Sequence, residues 1–180
     1  MTGCIIGSFR KYYDNIVSAI HIFEKSGHTI LSPKKSMIQK NEDGFVILLS
    51  DNPTYSHVDI QTLVFHRAFR SDFVYVWNPN GYIGKTTGYE IGRLVERKIP
   101  LYYKEPPVDI PLYVPEGSII GVEEFVSYIE KNKQLPPYGE ENNLITKKLL
   151  TDLENNKFHL WKGELACEKY CCVGKYAVFG

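Results

Sequence analysis

The feature of this sequence that most constrains its fold is a regular alternation of short apolar runs with longer amphipathic segments. The apolar runs are rich in β-branched and aromatic residues, as buried strands are, and the amphipathic segments repeat apolar residues at helical spacing. This alternation predicts an α/β three-layer sandwich, in which helices cover both faces of a mainly parallel, five-stranded sheet. The predicted strands are residues 4–6, 29–31, 72–77, 99–103 and 118–120, and the predicted helices are residues 12–25, 58–70, 87–97 and 122–131.

Two segments do not fit the alternation. Residues 33–56 contain a polar stretch, an extra strand at residues 45–49 and a turn, and we expect this insertion to lie near a ligand. Residues 134–139 contain two prolines and a glycine, which stop both helix and strand and are typical of a linker. We therefore predict an α/β domain at residues 1–133 and a small C-terminal extension at residues 134–180, whose role the sequence does not indicate. Within the extension the sequence favours a helix at residues 143–153 and a strand at residues 176–179.

The composition excludes several classes of partner. Lys and Arg together number 21, as do Asp and Glu, so the formal net charge is zero. A chain without a basic excess lacks the electrostatic footprint of nucleic-acid-binding proteins. No apolar run approaches the roughly 20 residues that cross a bilayer, and residues 1–9 lack the features of a signal peptide. We therefore expect a cytoplasmic protein that acts neither on nucleic acid nor at a membrane.

The four cysteines indicate neither a disulfide framework nor a cofactor site. Cys4 lies in the first apolar run, and the other three lie with His159 near the C-terminus. That cluster lacks the paired CxxC spacing of structural zinc sites. The adjacent Cys171 and Cys172 would also point to opposite sides of a strand. We predict free thiols, no metal and no cofactor.

Two loops at the predicted carboxyl ends of strands carry the candidate chemistry, since ligands of parallel α/β sheets bind at that edge. The first, Gly7-Ser8-Phe9-Arg10, combines a glycine for close backbone approach with a serine, a helix N-terminus and an arginine that can fork onto a phosphate. An ordinary strand-to-helix turn with a surface arginine fits the same residues. The second loop, residues 78–92, has glycines and threonines that suit a small hydroxyl-bearing or phosphorylated ligand. Its candidate binding residues are Asn78, Gly81, Tyr82, Gly84, Thr86 and Thr87.

Glu90 is the candidate catalytic residue of the second loop. It falls in the first turn of a predicted helix, where the helix dipole favours its ionised form, and an ordinary glutamate pKa of about 4.3 would leave it almost fully ionised at neutral pH. A carboxylate in that place suits a retaining attack on an anomeric carbon, without a metal or a general base. The pattern Thr87-x-x-Glu90 also fits a capping box, in which Glu90 would only bond to the amide of Thr87.

Together, three motifs resemble the nucleoside 2-deoxyribosyltransferase superfamily, which includes deoxynucleoside monophosphate N-glycosidases. They are the first loop, Asp72 at the start of the central strand, and the Gly-Tyr-Glu-Ile-Gly sequence of residues 88–92. The resemblance covers residues 3–104 and extends to about residue 131. It implies a flavodoxin-like Rossmannoid fold, a homodimer or tetramer, and cleavage of the N-glycosidic bond of a nucleoside or nucleotide.

The resemblance also implies roles for single residues. Glu90 matches the nucleophile of the superfamily, and Gly7, Ser8 and Arg10 match the loop that holds the sugar or its 5′-phosphate. An active-site tyrosine of the superfamily corresponds to Tyr12 or Tyr13, of which Tyr13 is our candidate.

The sequence departs from the superfamily at positions that concern the departing base. Many members carry an acidic residue eight positions before the aspartate of the central strand, where this chain has Val64. His66 is the candidate general acid, since its ordinary pKa is near 6.5, although a helix histidine without a catalytic role fits the position equally well. Asn78 stands where some members have an aspartate. Trp77 and Tyr82 either stack on a base or pack within the protein.

Three functions fit these residues. The first is cleavage of an N-glycosidic bond by a hydrolase or a deoxyribosyltransferase, which differ only in whether water or a second base takes the sugar. The second is a nucleotide-binding sensor that retains the pocket without turnover, a hypothesis that Val64 favours. The third is cleavage of an NAD-like dinucleotide. No GxGxxG motif follows the first strand, which disfavours an oxidoreductase.

Overall fold

The computed structural model of the chain describes residues 1–42, 45–137, 139 and 144–155. The chain divides into two compact units, Met1–Tyr138 and Gly139–Gly180. The sequence places the same division five residues earlier, between residues 133 and 134. In chain order the elements of the first unit are β1 (Thr2–Gly7), α1 (Phe9–Lys25), β2 (Thr29–Ser32), β3 (Ile38–Glu42), β4 (Phe45–Leu48), α2 (His57–Ala68), β5 (Phe73–Trp77), a 3-10 turn (Pro79–Gly81), α3 (Lys85–Glu96), β6 (Leu101–Tyr103) and α4 (Val122–Asn132).

Four parallel strands form the central sheet of the first unit, in the order β2-β1-β5-β6. The predicted fifth strand, residues 118–120, is reduced to a single bridge between Tyr103 and Ile119 at the edge of β6. A turn at residues 116–117 precedes this segment and α4 begins at Val122, so the chain has room for only one residue pair beside β6. The structure therefore has a four-stranded sheet in place of the predicted five strands.

Helices cover both faces of this sheet, which confirms the predicted α/β layers. Side chains alternate along a strand, and in β5 Phe73 and Tyr75 face one side while Val74 and Val76 face the other. α1 and α4 pack on the Phe73 side, and α2 and α3 pack on the Val74 side. The loops that follow the strands therefore meet at one edge of the sheet, between the two helical layers.

An antiparallel hairpin of β3 and β4 stands apart from the central sheet. The strand predicted at residues 45–49 corresponds to β4. The segment that precedes β3 is hydrogen-bonded to α1, because the hydroxyl of Tyr13 donates to the carbonyl of Ser36 and accepts from its N–H. Phe45 stacks on His57 at the start of α2, with ring centroids 4.7 Å apart. The insertion is thus an ordered hairpin held by two helices.

The described part of the second unit contains one helix, α5 (Leu144–Glu154), close to the predicted residues 143–153. The predicted strand at residues 176–179 lies outside the described residues, as does the cluster of His159, Cys167, Cys171 and Cys172. In the part of the chain that the structure describes, no helix is long and apolar enough to cross a membrane.

Candidate functional site

A cavity of about 400 Å³ opens at the carboxyl end of the central sheet. Its walls are the loop from β1 into α1, the start of α3, one side of α2, and β4 with the turn that follows it. Pockets of about 300–1,000 Å³ are of the size that holds small organic ligands. The predicted site residues that line this cavity are Gly7, Ser8, Arg10, Tyr82, Gly84, Thr86, Thr87 and Glu90.

The loop from β1 into α1 presents unpaired polar groups to the cavity. A Cβ at Gly7 would lie 2.5 Å from the carbonyl oxygen of Trp77, so glycine is what lets β1 end this close to β5. Ser8 is the N-cap residue of α1, but its side chain makes no capping hydrogen bond. Its hydroxyl and the first N–H groups of α1 are therefore available to a ligand, and a helix N-terminus attracts anions.

α3 begins at the same cavity, two residues earlier than predicted. Its first residue is Lys85, and its N-cap is Gly84, which has a left-handed conformation (φ 76°) and no capping side chain. Thr87 is therefore buried inside the helix, and the capping box with Glu90 is not formed. Asp109 holds the two residues before α3 in place, because its carboxylate accepts hydrogen bonds from the backbone N–H groups of Ile83 and Gly84 at 2.9 and 3.2 Å. Two helix N-termini without capping side chains thus share one cavity.

Glu90 is the buried carboxyl group of the site, with 5% of its surface exposed. Gln61 on α2 contacts it, and the Gln61 Nε2 donates a hydrogen bond of 2.8 Å to Oε1 of Glu90. Burial raises the pKa of Glu90 to about 7, and the hydrogen bond from Gln61 opposes part of that rise. The expectation that Glu90 is almost fully ionised at neutral pH does not take this burial into account, and desolvation opposes the ionised form.

The charged side chains that line the cavity are mostly cationic. Those of Arg10, Lys34, Arg67 and Lys85 face it together with the carboxyl groups of Asp51 and Glu90. Within the described residues, Arg10, Lys34 and Lys85 take part in no ion pair. The four cationic side chains outnumber the two carboxyl groups, so the cavity has a positive excess that favours an anionic ligand.

Two predicted catalytic residues lie away from this cavity. His66 is exposed on α2 and lines a groove beside the cavity, on the outside of that helix. Gln61, five residues earlier, lines both the cavity and this groove, whereas His66 lines the groove and not the cavity. The hydroxyl of Tyr13 is engaged by both backbone groups of Ser36. The structure therefore brings neither His66 nor Tyr13 to Glu90.

Asn78 and Gly81 shape the loop after β5 but do not line the cavity. Asn78 is completely buried, and its side-chain amide donates to the carbonyl of Glu105 at 2.6 Å and accepts from the N–H of Glu105 at 3.1 Å. Gly81 has φ 70°, and a Cβ there would lie 2.3 Å from the carbonyl oxygen of Pro106. Both residues join this loop to the chain after β6.

Of the two aromatic residues predicted near a base, the structure places only Tyr82 at the cavity. Trp77 packs against the core between the sheet, α1 and α4. The ammonium group of Lys11 lies 3.6 Å from the ring centroid of Tyr82, which occupies one face of that ring. A base could therefore stack only on the other face.

Several cavity residues have no signal in the sequence. Gln61 is separated from Glu90 by 29 positions, and no spacing rule links them. An apolar wall is formed by Phe45, Val46 and Leu48, and Asp51 supplies the second carboxyl group. All four belong to the insertion at residues 33–56, which the sequence predicts to contain a strand and a turn and to lie near a ligand. The sequence indicates the strand at residues 45–49 and the proximity of this insertion to a ligand, but not which of its side chains line the cavity.

In comparisons with known proteins, no family model, curated protein or solved structure matches this chain.

Proposed function

We propose that this protein cleaves the N-glycosidic bond of a nucleoside or nucleotide, with Glu90 as the nucleophile. The observation that carries the proposal is the placement of Glu90: a buried carboxyl group lines a ligand-sized cavity at which two helix N-termini without capping side chains begin. The resemblance of residues 7–10 and 88–92 to the nucleoside 2-deoxyribosyltransferase superfamily supports the same chemistry.

The reaction has two balanced steps. An ionised oxygen of Glu90 forms a bond to the anomeric carbon while the bond from that carbon to the base nitrogen breaks, and the base leaves with the bonding electron pair and takes up a proton. Water then attacks the same carbon and releases Glu90, or a second base does so in a transferase. Because the attack needs the ionised form, base release should rise with pH through the Glu90 pKa of about 7.

The rest of the cavity supports a nucleotide as the substrate. Arg10 lies with the N-terminus of α1 at one wall of the cavity. A phosphate there would accept two hydrogen bonds from the guanidinium group and further ones from the first backbone N–H groups of the helix. Phe45, Val46 and Leu48 offer an apolar wall of the kind that a planar base contacts. Asp51 is the remaining carboxyl group of the cavity and the candidate donor or acceptor for the departing base.

The test is a comparison of the wild-type protein with Glu90→Gln and Glu96→Gln. Each is incubated with ribo- and deoxyribonucleosides, their 5′-monophosphates and NAD, and free base is measured by chromatography. We expect release by the wild type, release by Glu96→Gln, whose side chain is exposed at the end of α3, and none by Glu90→Gln. Equal release by Glu90→Gln would exclude Glu90 as the nucleophile.

A nucleotide-binding sensor is the second candidate, and Val64 is the observation that favours it. Val64 lines the cavity at the position where many superfamily members have an acidic residue, so α2 offers no carboxyl group to assist a departing base. The sensor hypothesis expects calorimetric binding of a nucleotide without base release. Release that depends on Glu90 would exclude it.

A further inference from the structure

Gln61 is the side chain that contacts the Glu90 carboxyl group, and it comes from a different helix. Its Nε2 donates to Oε1 of Glu90 at 2.8 Å, and both side chains line the cavity. Among the described residues, Gln61 provides the hydrogen bond that acts on the Glu90 carboxyl. Because Oε1 is engaged in this way, Oε2 is the oxygen left to meet a ligand.

We propose that Gln61 is a positioning residue, which holds Oε1 of Glu90 so that Oε2 is presented to the anomeric carbon of the substrate. This inference rests on the proposed function. A neutral amide suits that role, since it donates to Glu90 in both protonation states and adds no charge to the cavity. Its place on α2 is one turn before Val64, so in this chain an amide supplies the polar contact from the helix that carries an acidic residue in the superfamily.

The effect of the Gln61 hydrogen bond on Glu90 can be separated from the effects of the other charged and titratable groups nearby. Arg10, Lys34, Asp51, Arg67, Tyr82 and Lys85 share its cavity, and Cys4 of β1 interacts with it electrostatically. The pKa of Glu90 is set by burial and by the Gln61 hydrogen bond. Removal of the Gln61 donor should therefore change the ionisation of Glu90 while every other charge stays in place.

The test uses Gln61→Met, which keeps an unbranched side chain of similar length without a donor. The ionised form of Glu90 loses its hydrogen bond, so the midpoint of the pH profile of kcat/KM should rise by about one pH unit. kcat at pH 7 should fall about tenfold, with KM little changed. Thr62→Ala is the matched control, because Thr62 is the next residue of α2 and is exposed outside the cavity.

A second variant, Gln61→Glu, tests the same contact in a different way. The introduced carboxyl group donates to Glu90 only while it is protonated, and once ionised it repels the Glu90 carboxylate. Its pH profile should therefore be bell-shaped, with partial rescue on the acidic side. A merely structural role of Gln61 would lower stability without changing the shape of either profile.

Two results would overturn the inference in distinguishable ways. If the wild type releases base through Glu90 but Gln61→Met keeps the wild-type profile and kcat, Gln61 is not a positioning residue and the proposed function stands. If the wild type shows no base release that depends on Glu90, the proposed function fails and the inference fails with it. Should Gln61→Met lose cooperative unfolding, Gln61→Glu decides, and an unchanged profile there overturns the inference.

Discussion

The burial of Glu90 makes a quantitative prediction about stability. Its pKa is about 7 in the folded protein and 4.5 as an isolated group. Between these values the folded protein holds a proton that the unfolded chain releases, so the free energy of unfolding falls as pH rises. A difference of about 2.5 pKa units corresponds to about 3 kcal/mol. This penalty is absent below pH 4.5 and complete above pH 7.

Glu90→Gln removes the ionisable group and keeps an acceptor for the Gln61 amide. We expect its free energy of unfolding, relative to the wild type, to rise by about 3 kcal/mol between pH 4.5 and pH 8. Urea unfolding followed by circular dichroism measures this, and all other titrations cancel because they are common to both proteins. Glu96→Gln is the control, and being exposed on the same helix it should shift unfolding equally at both pH values.

One result would refute the reasoning about Glu90. If the difference between Glu90→Gln and the wild type is the same at both pH values, Glu90 ionises as easily in the folded protein as in the unfolded chain. Desolvation would then not act on it, and the cavity would have to be open to water at that position. The expected rise of base release through pH 7 would lose its basis as well.

Three further predictions concern Arg10 at the cavity wall and Tyr13 and Gly81 outside it. Arg10→Ala should weaken calorimetric binding of a nucleoside 5′-monophosphate about tenfold or more and leave the free nucleoside unaffected, and equal losses would exclude Arg10 as the phosphate ligand. Tyr13→Phe should lower the free energy of unfolding by about 1 kcal/mol without changing base release per folded molecule, whereas loss of release alone would return Tyr13 to the active site. Gly81→Ala should cost more than about 2 kcal/mol in urea unfolding, because φ is 70° and Pro106 blocks the Cβ. Its control, Gly92→Ala, lies in a helix with no atom near the new methyl group and should add about 0.5–1 kcal/mol.

The parts of the fold that the sequence predicted are those with a strong local pattern. The central strand, predicted at residues 72–77 and observed at Phe73–Trp77, follows from its β-branched and aromatic content. α1 follows from apolar residues at helical spacing. The prediction of a fifth strand at residues 118–120 was wrong because two apolar residues between a turn and a helix fit a single bridge as well as a strand. α3 begins at Lys85, before the expected Thr87, because Gly84 caps it through its backbone conformation, which leaves no side-chain signature.

The same distinction applies to the candidate site, where residues with a local motif are predictable and residues placed by helix packing are not. The sequence points to Ser8 and Arg10 because they belong to a short motif between β1 and α1. It points to Glu90 because that residue belongs to a second short motif, at the start of α3, and both motifs line the cavity. The contact of Gln61 with Glu90 depends on how α2 packs beside α3, and no local pattern encodes that packing. The same argument applies to His66, which lies close to Gln61 in sequence and shares the outer groove with it but does not line the cavity.

The ionisation of Glu90 could not be predicted from sequence for a further reason, and that reason bears on function. A carboxylate in the Glu90 position is disfavoured by desolvation, which is why the pKa of Glu90 is raised. The same low dielectric strengthens its attraction to a positive carbon that develops as a glycosidic bond breaks. In the proposed reaction, the cost in the free protein and the gain in the transition state therefore have one cause. Glu90→Gln should accordingly be the more stable protein at pH 8 and the inactive one, whereas a variant that is inactive and also less stable there would make Glu90 a structural residue.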